Sequence, residues 1–307
     1  MYFFIVNPCS SGGRGERIWK KLKKLLEKRT VSYEAYLTKQ PGEARDYARA
    51  LTENVQEKRI IVAVGGDGTF NEVLDGLYFY PEVSLGYIPA GSGNDFARSL
   101  RLPTNPKRAL NKILLSPYYQ FLDYGVLTYG DKAEHRRFAV SAGMGLDGEV
   151  CLCIKQGLVQ KLMRRLRLGR FSYILFGLVR LIMAKPSRGY IILDRVKKIE
   201  FNHIYFISAH IHPFEGGGFC FAPGADAGDG KLSVCVVSHA NKRKLLNTLI
   251  AALLRRKKNI RGIRRYECQE AAFYMEQPQA VHTDGEVCGT WRMIETECIR
   301  KKIRMIL

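Results

Sequence analysis

Over the first hundred residues the apolar positions switch between two rhythms: short unbroken runs, and a spacing of three to four. Tyr2–Val6 is an unbroken run, which suits a parallel strand buried on both faces. Ile18, Leu22, Leu25 and Leu26 then recur at i, i+4, i+7 and i+8, predicting a helix with one apolar face. Residues 31–37 alternate weakly and predict a second strand. Pro41 opens another helix, with Ala44, Tyr47, Ala48 and Leu51 on one face. Residues 59–64 and 85–89 predict further strands, and Phe70, Val73, Leu74 and Leu77 a helix between them. Strand and helix in alternation is the signature of a doubly wound α/β domain.

After about Asp123 the rhythm changes. Short strand-like runs at 138–141, 190–193, 203–207, 232–237 and 271–274 are separated by Gly-rich turns. They predict an antiparallel β domain interrupted by two basic helices. The expected organisation is therefore an α/β domain over residues 1–124 and a β-rich domain over 125–295, with residues 296–307 able to rejoin the first.

Charge sharpens this picture. The 307 residues carry a formal net charge of +20. Residues 155–185 hold eight Lys/Arg and residues 241–265 hold ten, with no acid in either segment. The rest of the chain is close to neutral, so the surplus is concentrated where it attracts a polyanion. Leu158, Val159, Leu162 and Leu166 stripe the first segment between Lys161, Arg164, Arg165 and Arg167. That pattern suits a membrane interface as well as it suits a core-packing helix with a solvated basic face. The longest apolar stretch, 171–184, is fourteen residues, contains Arg180, and falls short of the roughly 20 that span a bilayer. No secretory leader is legible, and the eight cysteines lack any C-x-x-C spacing, so they are expected as buried thiols in a reducing compartment.

The candidate chemistry lies at the ends of the first strands. Gly65-Gly66-Asp67-Gly68-Thr69, with Asn71 and Glu72 beyond, follows one strand and opens a helix. Glycines let backbone amides approach a phosphate, and a helix N-terminus favours negative charge. Thr69 is expected to cap that helix. An acid in such a loop is unfavourable beside phosphate unless it works, so Asp67 is expected to orient Mg²⁺ or to accept a proton from an attacking hydroxyl. Gly91-Ser92-Gly93-Asn94-Asp95-Phe96 ends the next strand, and residues 7–15, with Asn7, Ser10 and Arg14, end the first. Three such loops at neighbouring strand ends can hold a nucleotide.

These stretches resemble a known family. Asn7-Pro8-x-Ser10, Gly65 to Glu72, and Pro89-x-Gly91-Ser92-Gly93-Asn94-Asp95-Phe96 are similar in order and spacing to the catalytic domain of diacylglycerol, sphingosine and ceramide kinases, above all the stand-alone bacterial lipid kinases. The resemblance covers essentially the whole chain. It implies a phosphofructokinase-like α/β domain followed by an antiparallel β-sandwich domain, with ATP in the cleft between them. It implies nucleotide contacts from Thr38, from Gly65 to Asn71 and from Ser92, where threonine is common in the family. It assigns Asp123, Asp226 and Asp229, with the Lys231 carbonyl, to a Mg²⁺ site. Without the family, those three carboxylates read as a turn. Thr283-Asp284-Gly285-Glu286 matches the segment that carries the candidate general base; Asp67, Asp284 and Glu286 all stay open for that role.

The implied activity is ATP-dependent phosphorylation of a lipid hydroxyl, with diacylglycerol leading and a sphingoid base or other glycerolipid as alternatives. The implied setting is cytoplasmic, peripheral at the inner membrane face, on an anionic lipid surface, without nucleic acid; a homodimer is left open. Two rivals stand beside it. A soluble-substrate kinase such as an NAD kinase shares a Gly-Gly-Asp-Gly loop, and a non-catalytic nucleic-acid-binding protein would use the +20 charge but lacks a recognition motif. Gly143-x-Gly145-x-x-Gly148 spells a dinucleotide fingerprint, rejected because Asp147 would face a pyrophosphate and a basic stretch follows. His210 and His212 read as structural or surface histidines. No Walker loop is present.

Overall fold

A computed structural model describes residues 1–116, 118–155, 180, 183–254 and 260–307. Most of the basic segment 155–185 and the Arg255–Lys258 run therefore lie outside the described residues. The chain divides into two compact units, Met1–Leu122 with Lys301–Leu307, and Asp123–Arg300.

The first unit is a parallel α/β structure. Its elements are β1 (Tyr2–Val6), α1 (Ser10–Lys28), β2 (Tyr33–Leu37), α2 (Glu43–Thr52), β3 (Arg59–Gly65), α3 (Asp67–Gly76), β4 (Val83–Pro89), α4 (Asp95–Ser99) and α5 (Pro106–Leu115). The strands run in the order β4-β3-β1-β2, all parallel, and Met305 pairs parallel with Leu85 at the β4 edge. On one face Phe4, Val6, Val62, Val64 and Ile88 pack with Ile18, Trp19, Leu22 and Leu26 of α1 and Leu110 and Ile113 of α5. Successive residues of a strand alternate between faces, so the equally buried Phe3, Ile5, Ile61 and Ala63 serve the other side. Strands this apolar on both faces are what crossover helices require.

The same topology explains where the chemistry falls. β3 lies between β1 and β4, so the loops after β1 and β4 flank the one after β3 at the C-terminal edge of the sheet.

The second unit is mostly antiparallel. Its elements are β5 (Tyr119–Tyr129, entered from the first unit), β6 (Glu134–Phe138), β7 (Ser141–Gly145), α6 (Leu146–Lys155), β8 (Ser187–Leu193), β9 (Lys197–His210), β10 (Phe214–Glu215), β11 (Phe219–Cys220), β12 (Leu232–Ser238), α7 (Lys242–Leu253), β13 (Ile263–Cys268), β14 (Glu270–Thr283) and β15 (Glu286–Ile306). The strand order is β13-β12-β9-β7-β14-β15; β8 pairs with both β9 and β14, and β5 pairs with β6. A core of Leu146, Phe206, Phe221, Cys235, Val237, Leu245 and Ile263 joins the sheet to α7. In α7 the basic residues Lys242, Arg243 and Lys244 are exposed.

One predicted strand is corrected. Residues 138–141 are not continuous: β6 ends at Phe138 and β7 begins at Ser141. The amides of Ala139 and Val140 go to the Asp284 carboxylate instead of a neighbouring strand. The Gly143, Gly145 and Gly148 spacing does sit on a strand–helix junction. There, however, a Cβ at Gly145 or Gly148 would collide with the carbonyls of Tyr205 and Ala280, so these glycines serve packing.

Candidate active site

Glycine loops gather Asn7, Thr69, Gly91, Asn94 and Asp95 around Asp67 in the first unit. β3 ends in Gly65-Gly66, and a Cβ on Gly65 would overlap the Thr69 side chain. The next loop is as close: a Cβ on Gly91 would lie 2.5 Å from the Gly66 Cα. Two loops in backbone-to-backbone contact tolerate no side chain there. The Ala90 amide donates to the Gly65 carbonyl at 2.6 Å and ties them together.

Thr69 differs from expectation. The α3 N-cap is Gly66 and makes no side-chain capping bond. Thr69 lies inside the helix, 5% exposed, and its Oγ1 accepts from Asn7 Nδ2 at 3.1 Å. It therefore links the first and second loops rather than closing its own helix.

Asp67 bridges the second and third loops. Its Oδ2 accepts the Asp95 amide at 3.0 Å and its Oδ1 the Phe96 amide at 3.2 Å, which satisfies the orphan donors at the start of α4. Burial raises the Asp67 carboxyl above its ordinary range, against those amides and the Arg98 guanidinium. Asp95 is buried and ion-paired with Arg98, whose Nη2 also donates to the Gly93 carbonyl at 2.9 Å. Asn94, left-handed at φ 52°, accepts from the Gly91 amide at 3.0 Å and donates back to its carbonyl at 2.9 Å. Beneath the loops Phe70 stacks on Phe96 at 4.1 Å, and the Tyr87 hydroxyl donates to the Gly65 carbonyl at 3.2 Å. Burial, then Asp67 and Asp95, push the Tyr87 phenol well up.

The first loop has a different form. Ser11, Gly12 and Gly13 all hold positive φ, at 46°, 65° and 88°. These three residues make a left-handed turn, and the Gly13 amide donates to the Cys9 carbonyl at 3.5 Å. Ser10 is buried, while Arg14 and Ser92 are exposed. Thr38, at the end of β2, is buried and its amide donates to the Val6 carbonyl at 2.8 Å.

The remaining candidates belong to the second unit. Asp123 is 1% exposed and its Oδ2 accepts the Gly230 amide at 2.7 Å. Asp226 accepts from Gly228 at 3.0 Å, and Asp229 from Lys231 at 2.9 Å. Burial, then the carboxylates of Asp226 and Asp123, raise the Asp229 carboxyl, against the Lys231 amide. This repulsion between carboxylates is what a hard cation relieves. Asp284 and Gly285, both at positive φ, form the two-residue turn between β14 and β15. The Asp284 carboxylate accepts three amides, from Ala139, Val140 and Ser141, at 2.7, 2.8 and 2.9 Å. Glu286 follows, half-buried, at the start of β15.

Residues that sequence reasoning passed over stand close by. Asp147, Glu215 and His282 meet in the interior of the second unit. The available signal was a histidine one residue ahead of the Thr-Asp-Gly-Glu segment, in a strand whose alternation turns it inward.

Comparison with known proteins agrees with this architecture. The model of the diacylglycerol kinase catalytic domain matches residues 1–120, and that of the YegS C-terminal NAD kinase beta sandwich-like domain matches residues 145–306. The chain is 29% identical over 293 residues to the Bacillus subtilis protein named "Putative lipid kinase YtlR", covering 94% of each chain. It is 39% identical over 112 residues to a diacylglycerol kinase of Staphylococcus saprophyticus, 36% of each. A crystal structure of a diacylglycerol kinase from Bacillus anthracis is similar in fold, with a TM-score of 0.72 and 20% identity, covering 99% of this chain and 96% of that one.

Proposed function

Because this chain belongs to the diacylglycerol kinase family, phosphotransferases with an alcohol as acceptor, we propose that it moves the γ-phosphate of ATP to a lipid hydroxyl. Diacylglycerol is the leading acceptor and phosphatidic acid the product. The observation that carries this reading is the convergence of the loops after β1, β3 and β4 at one sheet edge, with Asp67 at their centre.

The residues divide the work. The glycine loops offer backbone amides to phosphate oxygens, and Asn7 and Thr69 hold the first two loops in register. Phosphoryl transfer asks the protein mainly for such positioning and charge neutralisation. Asp67, Asp284 and Glu286 are the candidate acceptors for the attacking hydroxyl's proton; burial raises the Asp67 carboxyl, which suits proton uptake, while its oxygens also hold the Asp95 and Phe96 amides. Asp284 spends its oxygens on three amides, which suits a brace.

Asp123, Asp226 and Asp229, with the Lys231 carbonyl, have the oxygen chemistry to hold Mg²⁺. Such an ion would supply positive charge to offset the gathered carboxylates of the Gly-rich turn. Among the described residues no helix is long and apolar enough to cross a membrane. The Lys/Arg of segments 155–185 and 241–265 supply the attraction to an anionic bilayer, at about 1 kcal/mol for each one that reaches the surface.

The test is transfer from labelled ATP to anionic vesicles carrying diacylglycerol, a sphingoid base or a monoacylglycerol, comparing wild type with Asp67→Ala. Labelled phosphatidic acid that disappears in the variant is the expected result. Labelling of the sphingoid base instead keeps the chemistry and replaces the acceptor. Phosphorylation of NAD with no lipid labelled overturns the lipid assignment.

A further inference from the structure

Three elements of the second unit bring a set of buried side chains together that phosphotransfer leaves unused. Asp147 stands in the first turn of α6, Glu215 in β10 and His282 in β14. His282 Nε2 lies 3.1 Å from Asp147 Oδ2 and 3.4 Å from Glu215 Oε1. His282 is fully buried, Glu215 is 9% exposed, and the Asp147 side chain is 7% exposed.

Two neighbours face the same point. His210 Nε2 lies 3.4 Å from Glu215 Oε2 and 2.8 Å from Ser208 Oγ. Ser141, with no exposure, stands against Glu215, whose Oε2 faces the His210 ring.

We propose that Asp147, Glu215 and His282 form a binding site for one divalent transition-metal ion of the zinc class, separate from the Asp123, Asp226 and Asp229 turn. Three arguments converge on it. The first is charge. Two buried carboxylates converge on the His282 imidazole, and Glu215 also meets the His210 imidazole. A dication bound there would balance both carboxylates with the imidazoles neutral.

The second argument is geometry. Donors about 2.1 Å from a zinc ion lie about 3.0–3.4 Å apart at octahedral to tetrahedral angles. The observed 3.1 and 3.4 Å separations match those edges, and all three donor atoms lie within 4.8 Å of one another. Glu215 Oε2, on the same carboxylate, makes no hydrogen bond.

The third is donor chemistry. One imidazole nitrogen with two carboxylates suits zinc, manganese or iron, whereas magnesium prefers an all-oxygen shell. The outer shell is partly built: Asp147 Oδ1 accepts the Gly148 amide at 2.7 Å, and Ser208 braces His210. His282 Nδ1 has no hydrogen-bond partner among the described residues. An absent outer-shell partner of this kind weakens affinity by roughly 10–100-fold. Binding is therefore expected to be weaker than at a site with a complete outer shell. Bound there, the ion would tie α6, β10 and β14 together.

The experiment is zinc uptake by the full chain after chelator treatment, read by elemental analysis and titration calorimetry, with thermal denaturation alongside. His282→Gln, Glu215→Gln and the control Asp131→Asn are treated identically, with Mg²⁺ in excess to fill the Asp123, Asp226 and Asp229 turn, and cobalt replaces zinc for absorption spectroscopy. The expected result is one equivalent of zinc and a higher melting temperature in wild type and in the control. Affinity should fall roughly tenfold or more in the two site variants. Cobalt should show d–d absorption without thiolate charge transfer. Should either variant not fold, the wild-type stoichiometry and cobalt spectrum still decide. No uptake by wild type, thiolate charge transfer, or unchanged binding in folded site variants overturns the proposal.

Discussion

Oδ2 of Asp67 accepts the backbone amide of Asp95 at 3.0 Å, so the carboxylate at the head of α3 closes the start of α4, twenty-eight positions on. Structural cap and chemical group are thus one side chain, and two substitutions separate them. Asp67→Asn keeps an acceptor for one amide and should melt close to wild type, while lipid phosphorylation falls about 10²–10⁴-fold. Asp67→Ala should lose activity equally and also about 1–2 kcal/mol of stability, as for a lost helix cap. Thermal melts beside the kinase assay check both; an active Asp67→Asn would remove Asp67 from the chemistry.

Close loop packing makes Gly91 intolerant of a side chain. A Cβ there would stand 2.5 Å from the Gly66 Cα and 2.8 Å from Asn94 Oδ1, and backbone cannot swing aside. Gly91→Ala should cost about 1–3 kcal/mol, as overpacking does, and raise the KM for ATP. Gly224→Ala, with nothing within 4 Å of its Cβ, should stay within about 0.5 kcal/mol. Denaturant titration of the pair isolates the packing effect.

Asp284 and Glu286 are expected to part company. Removing the carboxylate in Asp284→Ala strands the amides of Ala139, Val140 and Ser141, at about 1–3 kcal/mol for each one left buried and unsatisfied. Glu286→Gln should melt near wild type, so any loss of activity there reports chemistry. A wild-type melting temperature for Asp284→Ala would refute the brace.

Burial depresses the fully buried His212 imidazole to about 3. The unfolded chain, at about 6.5, therefore takes up a proton that the folded one refuses. This contribution is intact above pH 6.5 and drains away as pH falls toward 3, with a slope approaching about 1.4 kcal/mol per pH unit. His212→Gln should flatten the pH dependence of unfolding free energy between pH 6.5 and 4. Denaturant curves across that range decide it.

Exposed Cys9 lies in the loop of residues 7–15, with its amide on Asn7 Oδ1 at 3.0 Å. Burial pushes the thiols of Cys151, Cys235, Cys268 and Cys298 up to about 12. Alkylation at pH 8 should therefore label Cys9 well before those four. If the loop holds phosphate, ATP with Mg²⁺ should protect Cys9 severalfold. Peptide mass spectrometry reads both; equal labelling with and without nucleotide would take the loop out of the nucleotide site.

Local chemistry wrote much of this protein into its sequence. The unbroken apolar runs of β1 and β3, the Ile18–Leu22–Leu26 stripe of α1 and the glycine loops were legible because each depends on neighbours within one turn or one strand.

Partnerships were not legible, because register and packing choose them. Thr69 looked like a cap and instead meets Asn7, sixty-two positions away, since β1 and β3 are neighbours in the sheet. Residues 138–141 looked like one strand and are broken by the distant Asp284 carboxylate. Asp147, Glu215 and His282 carry no spacing that pattern reading can detect. The packing of α6 and β10 against β14 sets the atoms of Asp147 and Glu215 about His282 at 3.1 and 3.4 Å. The sequence by itself determined the elements and the loop chemistry, whose energies are local. Only the tertiary structure decided which polar groups share a buried point, because desolvation and hydrogen bonding depend on which surfaces meet.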